Sequence, residues 1–303
     1  MGNYFGEIAG LLTAVFWTVT SMAFESAGKK VGSLSVNLIR LVMAFFFIGI
    51  YSYIARGFFF PTDANAYQWK WLILSGIIGF TIGDLLLFQA FVEVGARIAM
   101  LMMALTPPFT AFISWLIIGE VLTPMNWFGM FVTLAGIIIV ILKREKTEEN
   151  GEVRKRIKTS YPIQGILLAL GGALGQATGL VLSKKGMGNY DAFSASQIRV
   201  LAGGIGFVIL FFFMRRWPKV WMALKNQSAM KRITLGAVFG PFLGVSFSLL
   251  AVQHTKAGIA ATLMAIVPVL IIPPAILLFK EKVNWKEIIG AIITVAGVGL
   301  FFL

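Results

Sequence analysis

The 303-residue chain is 58% hydrophobic and only 13% charged, with a mean hydropathy of +0.86 and a net charge of +13. Soluble domains are about 45–50% apolar and about a quarter charged, so this much apolar surface calls for lipid as its solvent. Cysteine is absent and His254 is the sole histidine, which excludes disulfides, thiolate metal sites and a histidine metal centre. The basic residues fall mostly in loops between apolar runs, where lipid headgroups meet them, and that distribution argues against nucleic acid as a partner.

Ten apolar runs follow one another along the chain, at about 6–25, 35–54, 71–92, 96–118, 124–142, 163–182, 193–213, 233–252, 257–279 and 285–303. A helix crosses the hydrocarbon core in about 20 apolar residues, so ten crossings leave only short loops over. Residues 1–5 hold no Lys or Arg and Glu7 follows, so the first run reads as a retained span and not as a signal peptide. Two connections are long, 143–162 and 214–232; the first is the most charge-rich stretch and divides the runs five and five. The organisation expected is a first five-helix repeat at 1–142, a charged linker loop at 143–162 and a second repeat at 163–303.

A shift of 161 residues lays 79–136 over 240–297 without gaps. Gly79 then meets Gly240, Gly83 meets Gly244, Met103-Ala104 meets Met264-Ala265, Pro107 meets Pro268 and Glu120 meets Glu281. Thr133 and Gly136 meet Thr294 and Gly297, and a small loop adjustment brings Ile39-Arg40 onto Ile198-Arg199. Shared membrane composition accounts for matched Ala and Ile, but not for matched Pro and Glu. Because each half has an odd number of spans, two halves of like fold must lie in opposite orientations. The fold class expected is therefore an all-α membrane protein of ten transmembrane helices, arranged as two inverted five-helix repeats, a plan that recurs in alternating-access carriers.

Each half ends in a proline-bearing helix, a Glu at its exit and a glycine-containing last helix. The first reads LMMALTPPFTAFISWLIIGEVLTPMNWFGMFVTLAGIII and the second TLMAIVPVLIIPPAILLFKEKVNWKEIIGAIITVAGVGL. Together with Trp17-Thr18 and Leu38-Ile39-Arg40, these segments resemble the EamA family of the drug/metabolite transporter superfamily, over essentially the whole chain. The resemblance implies ten helices around a central cavity, ATP-independent export of amino acids, metabolites or toxic compounds, and cytoplasmic termini. Charge bias points the other way. On the side of the termini stand only Arg56, Lys70, Lys184, Lys185 and Lys256, whereas the long basic loops lie on the opposite side, which places both termini outside. One departure from the internal pattern is Gly172, which occupies the position matching Trp17.

Several polar groups lie within spans. A centrally placed Arg costs about 2.5–3.5 kcal/mol on insertion scales, so Arg40 and Arg199 should face a cavity, a carboxylate or a snorkelling route. They read either as coordinating an anionic metabolite or as structural. Asp84 reads as a proton acceptor or substrate-amine site, as the partner of an Arg across the bundle, or as a group exposed to a wet vestibule. Trp17, Ser21, Gln89, Gln176 and Gln253 read as substrate contacts or as glue between helices. Pro107 and Pro268 read as hinge or gate positions or as packing kinks, and Glu120 and Glu281 as structural pins of the helix hairpins. Gly171, Gly175 and Gly179 form a narrow face for close helix packing, while Glu25, Glu93, Arg97 and His254 read as interfacial.

There is no H-E-x-x-H, G-x-S-x-G or P-loop pattern, so no catalytic residue, metal or cofactor is assigned and the chain is read as a non-enzyme. The function expected is secondary active transport, as an exporter, of a small polar or amphipathic metabolite such as an amino acid, by alternating access coupled to protons or to exchange. The partners expected are that substrate, membrane lipids and protons, with the chain a monomer or homodimer in a prokaryotic plasma membrane. The alternatives are a non-transporting membrane scaffold or lipid-binding protein and, less favoured, a membrane enzyme.

Overall fold

A computed structural model describes residues 4–119, 123–149, 152–159, 161–254, 263–280 and 283–301. In chain order come α1 (Phe5–Val31), α2 (Ser33–Arg56), α3 (Ala66–Glu93), α4 (Gly95–Ile118), α5 (Pro124–Ile141), β1 (Leu142–Glu149), β2 (Glu152–Thr159) and α6 (Ile163–Met187). They are followed by α7 (Ala192–Met214), α8 (Trp217–Lys225), α9 (Gln227–His254), α10 (Val267–Leu278) and α11 (Trp285–Phe301). Seven of these, α1 to α4, α6, α7 and α9, are long and apolar enough to cross a bilayer, and shorter apolar helices accompany them. Large apolar side chains such as Ile54, Phe213 and Leu277 point outward, as lipid contact requires and water would penalise. The protein is thus a multi-pass helical membrane protein.

The linker is not left as a plain loop. β1 and β2 pair antiparallel from Leu142 opposite Thr159 to Glu149 opposite Glu152. In sequence the two strands are separated by Asn150-Gly151, the dipeptide that most favours a tight hairpin turn.

Helix ends follow local chemistry. Asn65 caps α3 in a reciprocal box with Gln68, and Asp191 and Asn226 cap α7 and α9 by accepting from the backbone N–H of Ser194 and Ala229. Gly57 ends α2 at φ +81°, a conformation that costs a residue with a Cβ. Within α4 the helix switches to three-residue hydrogen bonds, Ala104 to Leu101 and Leu105 to Met102, before restarting at Thr106 with Pro107 and Pro108 in its first turn. Pro268 likewise opens the helical turn Val267–Leu270.

The shift of 161 residues reappears in the backbone. α3 contains a π-helical segment at Ile77–Gly83, and α9 contains one at Val238–Gly244. The two ranges differ by 161 at both ends. α5 and α11 pack tightly where Gly136 abuts Thr294, Gly290 abuts Val140 and Gly297 abuts Thr133. Partner numbers fall along one helix as they rise along the other, so the pair is antiparallel. Thr133–Gly297 and Thr294–Gly136 are the same contact with the repeat positions exchanged.

Two further helix pairs correspond but pack differently. In α6 against α3, a Cβ on Gly175 would lie 2.6 Å from the Cα of Gly83, and one on Gly179 would lie 3.0 Å from the Cα of Gly79. Backbones therefore touch, and Ser75 Oγ donates to the carbonyl of Gly179 at 2.6 Å. In α1 against α9 the glycines of α9 meet large groups: Gly236 meets Phe24, Gly240 meets Thr20 and Gly244 meets Trp17. Here side chains and not backbones fill the contact, and Trp17, Thr20 and Phe24 also border the cavity described next.

Candidate functional site

A cavity of about 140 Å³ lies among α1, α2, α3, α4, α6, α7, α9, α10 and the segment leading into α10. On α1 its wall is Trp17, Thr20, Ser21 and Phe24, spaced i, i+3, i+4 and i+7. On α3 it is Phe80, Asp84, Leu87, Phe88 and Phe91, the same spacing extended by one turn. Repeat-equivalent residues both line it: Phe80 and Pro241, Asp84 and Val245, Leu87 and Ser248, Met103 and Met264, Pro107 and Pro268, and Arg40 and Arg199.

The charged groups in this wall are Arg40, Asp84 and Arg199, each about 3% exposed. Arg40 Nη2 donates to Asp84 Oδ2, and Arg40 Nε donates to Asn37 Oδ1 at 3.0 Å. Asn37 in turn donates to the Asp84 carbonyl at 3.2 Å. Gln176 Nε2 donates to Asp84 Oδ1 at 2.6 Å, so each carboxylate oxygen already accepts a bond. Three aromatic rings surround the Arg40 guanidinium, with Phe88 at 4.3 Å, Phe24 at 5.4 Å and Phe80 at 5.9 Å from ring centre to Cζ. In a low-dielectric wall this pair is close to neutral as a unit.

Arg199 is placed differently. Its guanidinium lies 4.9 Å from the centre of the Phe80 ring and has no hydrogen-bond or ion-pair partner among the described residues, and its Nε is fully enclosed. The residue that corresponds to Asp84 in the second repeat segment is Val245, in the same wall. Buried donors without acceptors are rare in native proteins and cost about 1–3 kcal/mol, more when charged. Three hydroxyls in the same wall, Thr20, Thr106 and Thr110 Oγ1, are likewise without partners.

The cavity thus brings together Asp84, Arg40, Arg199, Trp17, Ser21, Gln176, Pro107 and Pro268. Two expected contacts lie elsewhere. Gln89, off the α3 stripe, accepts from Ser33 Oγ at 2.7 Å and donates to Glu93 at 2.9 Å. Gln253 donates to the Tyr190 carbonyl at 2.7 Å in the loop between α6 and α7. Glu120 and Glu281 lie outside the described residues. Thr20, Thr106, Thr110 and Ser248 complete the polar wall although sequence reasoning passed them over; Thr20 was legible as the i+3 neighbour of Trp17. Glu25, read as interfacial, is buried: it pairs with Lys29 at 2.5 Å and accepts from the Ala96 N–H at 2.8 Å, neutralising the start of α4.

Polar clasps tie residues of the two repeat segments at both ends of the bundle. Between α2 and α7, Arg56 reaches Asp63 at 2.5 Å, Asp191 at 3.5 Å and the Ser194 hydroxyl, and Tyr190 donates to Asp63 at 2.8 Å. Burial raises the Asp63 pKa, but the hydrogen bonds from Tyr190 and Arg56 outweigh it and leave the group below the ordinary carboxylate value. Burial, and then the bond to Asp63, push the Tyr190 phenol up to about 12. At the opposite end Arg97 pairs with Glu287, which also accepts from Tyr161 at 3.0 Å.

A family model described as the EamA-like transporter family matches residues 4–142 and 163–303. The chain is 25% identical over 289 residues to human "Solute carrier family 35 member G1", spanning 94% of this chain and 75% of that protein. It is 23% identical over 299 residues to an "Uncharacterized transporter" of Clostridium kluyveri, spanning 96% and 91%. A solved crystal structure aligns over 97% of this chain and 95% of its own, with a TM-score of 0.64 and 18% identity, a likeness of fold alone.

Proposed function

Because the chain belongs to the EamA-like transporter family and is a multi-pass membrane transporter, we propose that it moves a small polar or amphipathic metabolite by secondary active transport, in the export direction, across a prokaryotic plasma membrane. The two segments 4–142 and 163–303 act as inverted five-helix repeats, ten spans in all, that rock about the cavity. The observation that carries this reading is the cavity itself, walled by residues that correspond under the 161-residue shift. The reciprocal antiparallel contact of α5 with α11 supports an axis in the membrane plane, since exchanged identical contacts are the mark of a twofold. Midplane sites between such repeats suit alternating access.

In this mechanism the helix breaks at Pro107 and Pro268 and the twin π segments let the wall bend. Carbonyls freed there survive in a membrane only where protein or a cavity satisfies them. The clasps Arg56–Asp63–Tyr190 and Arg97–Glu287–Tyr161 open in turn, one at each end. Asp84 and Arg40 form the coupling pair: a proton taken by the Asp84 carboxylate removes the countercharge of Arg40 and frees its Nη2 for another acceptor.

The natural lack of cysteine makes the test direct. Ser21→Cys and Thr110→Cys variants in sealed vesicles are challenged with a membrane-impermeant thiol reagent from each side. The expected result is reactivity that changes sides when a proton gradient is reversed or substrate is supplied. Reactivity confined to one side under every condition overturns alternating access.

A further inference from the structure

Within the transport reading, we infer that the cavity selects an organic anion of one net negative charge with a compact apolar body, and that Arg199 is its receptor. The wall holds two guanidiniums and one carboxylate. Asp84 is taken up on both oxygens, by Arg40 and Gln176. The wall therefore carries one net positive charge, and among the described residues Arg199, 3% exposed, has no hydrogen-bond acceptor, Asp84 acting on it only through space. An inert membrane core seldom keeps such a charge, and the group that offsets it must come from outside the chain.

A carboxylate fits the guanidinium fork in two parallel bonds. The unpartnered hydroxyls of Thr20, Thr106 and Thr110 can each donate to an acceptor entering the same cavity. Beyond the charge, the wall is aromatic and aliphatic, with Trp17, Phe91, Met100 and Met264 among its members. A void of about 140 Å³ is the size that holds one benzene-sized ring. An ammonium group finds no free countercharge there. A zwitterion would set its amine beside Arg199 and the neutral Arg40–Asp84 pair, so an amino acid is rejected in favour of a simple carboxylate.

The test uses four molecules that share a ring and differ in charge: benzoate, benzamide, benzylammonium and phenylglycine. Their binding to purified protein is measured in chloride-free buffer by quenching of tryptophan fluorescence and by thermal shift. Benzoate is expected to bind at least about tenfold more tightly than the other three. Arg199→Gln is expected to abolish the benzoate response while raising the melting temperature of the empty protein, and Arg199→Lys to retain part of it. Failure of benzoate to bind, equal binding of phenylglycine, or an Arg199→Gln variant that keeps the response or melts lower than wild type overturns the assignment. Benzoate binding through Arg199 with no flux in vesicles leaves the anion site standing and removes the transport reading. Arg199-independent flux of phenylglycine does the reverse.

Discussion

Arg40 and Arg199 occupy equivalent positions in the two repeat segments, face one cavity and touch the same ring, Phe80, yet they differ in what completes them. Arg40 has a carboxylate on α3, a carboxamide from Asn37 and three aromatic rings. Arg199 has Phe80 and open space, because its equivalent of Asp84 is Val245. In the proposed mechanism the paired guanidinium of Arg40 serves coupling, and the unpaired one of Arg199 is the proposed receptor for the anion. The same asymmetry appears in the helix contacts. Glycine against glycine closes α6 on α3, while Trp17, Thr20 and Phe24 fill the contact of α1 with α9. One interface is backbone on backbone, and in the corresponding one side chains that line the cavity rest on the glycines.

The strongest way to break this contrast is to strip the paired arginine. Asp84→Asn leaves Arg40 buried without a countercharge, and removing one partner of a buried pair costs about 3–5 kcal/mol. Because Asp84 belongs to the proposed coupling pair, the variant should lose transport, and a large loss of melting temperature is expected as well. Adding Arg40→Met to Asp84→Asn should recover most of that loss, and a double variant no more stable than Asp84→Asn would show that the pair is not the cause. Next in size is the backbone-on-backbone interface. Gly175→Val places methyls where the Gly83 backbone lies, and overpacking of this kind costs about 1–3 kcal/mol. The corresponding change on α1, Thr20→Val, should be nearly neutral for stability, and denaturation of both variants in detergent checks the difference.

The contrast can also be erased. Val245→Asp would give Arg199 the carboxylate that Arg40 already has. Benzoate affinity should then fall by about tenfold or more, while the empty protein holds or gains stability; undiminished affinity would separate Arg199 from the anion. The smallest effect concerns the Arg56–Asp63–Tyr190 clasp, which is partly solvated and so weak. Because the folded Asp63 pKa is lowered, its contribution is present above the ordinary aspartate value and is lost as pH falls through the depressed one. Tyr190, raised to about 12, contributes fully below the ordinary tyrosine value near 10 and loses that contribution between about 10 and 12. Wild type and Asp63→Asn should therefore melt alike in strong acid and diverge slightly at neutral pH, measured by thermal unfolding against pH.

Much of the frame was legible before any coordinates. The 161-residue shift that pairs Gly79 with Gly240 also pairs the two π segments, because local backbone geometry follows local sequence when both halves share a fold. Helical spacing also separates the wall from its neighbours: Asp84, Leu87, Phe88 and Phe91 define a stripe from which Gln89 is rotated away, and its partners are Ser33 and Glu93. The Asn150-Gly151 dipeptide between two charged runs signalled a hairpin where a loop was expected. Gln253 gave no such warning, since its acceptor is a carbonyl in a distant loop.

By itself the sequence determined that the chain needs lipid, that residues 79–136 recur in pattern 161 positions later, and that an acid and two arginines lie within its apolar spans. These follow from composition, spacing and internal repetition, which are properties of a linear chain. Only the tertiary structure decided that Asp84 pairs with Arg40 and that Arg199 has no acceptor among the described residues. Two arginines at equivalent positions cannot be ranked along the chain; which one meets a carboxylate depends on helix rotation and on which helix pair closes, and both are set by packing across the bundle.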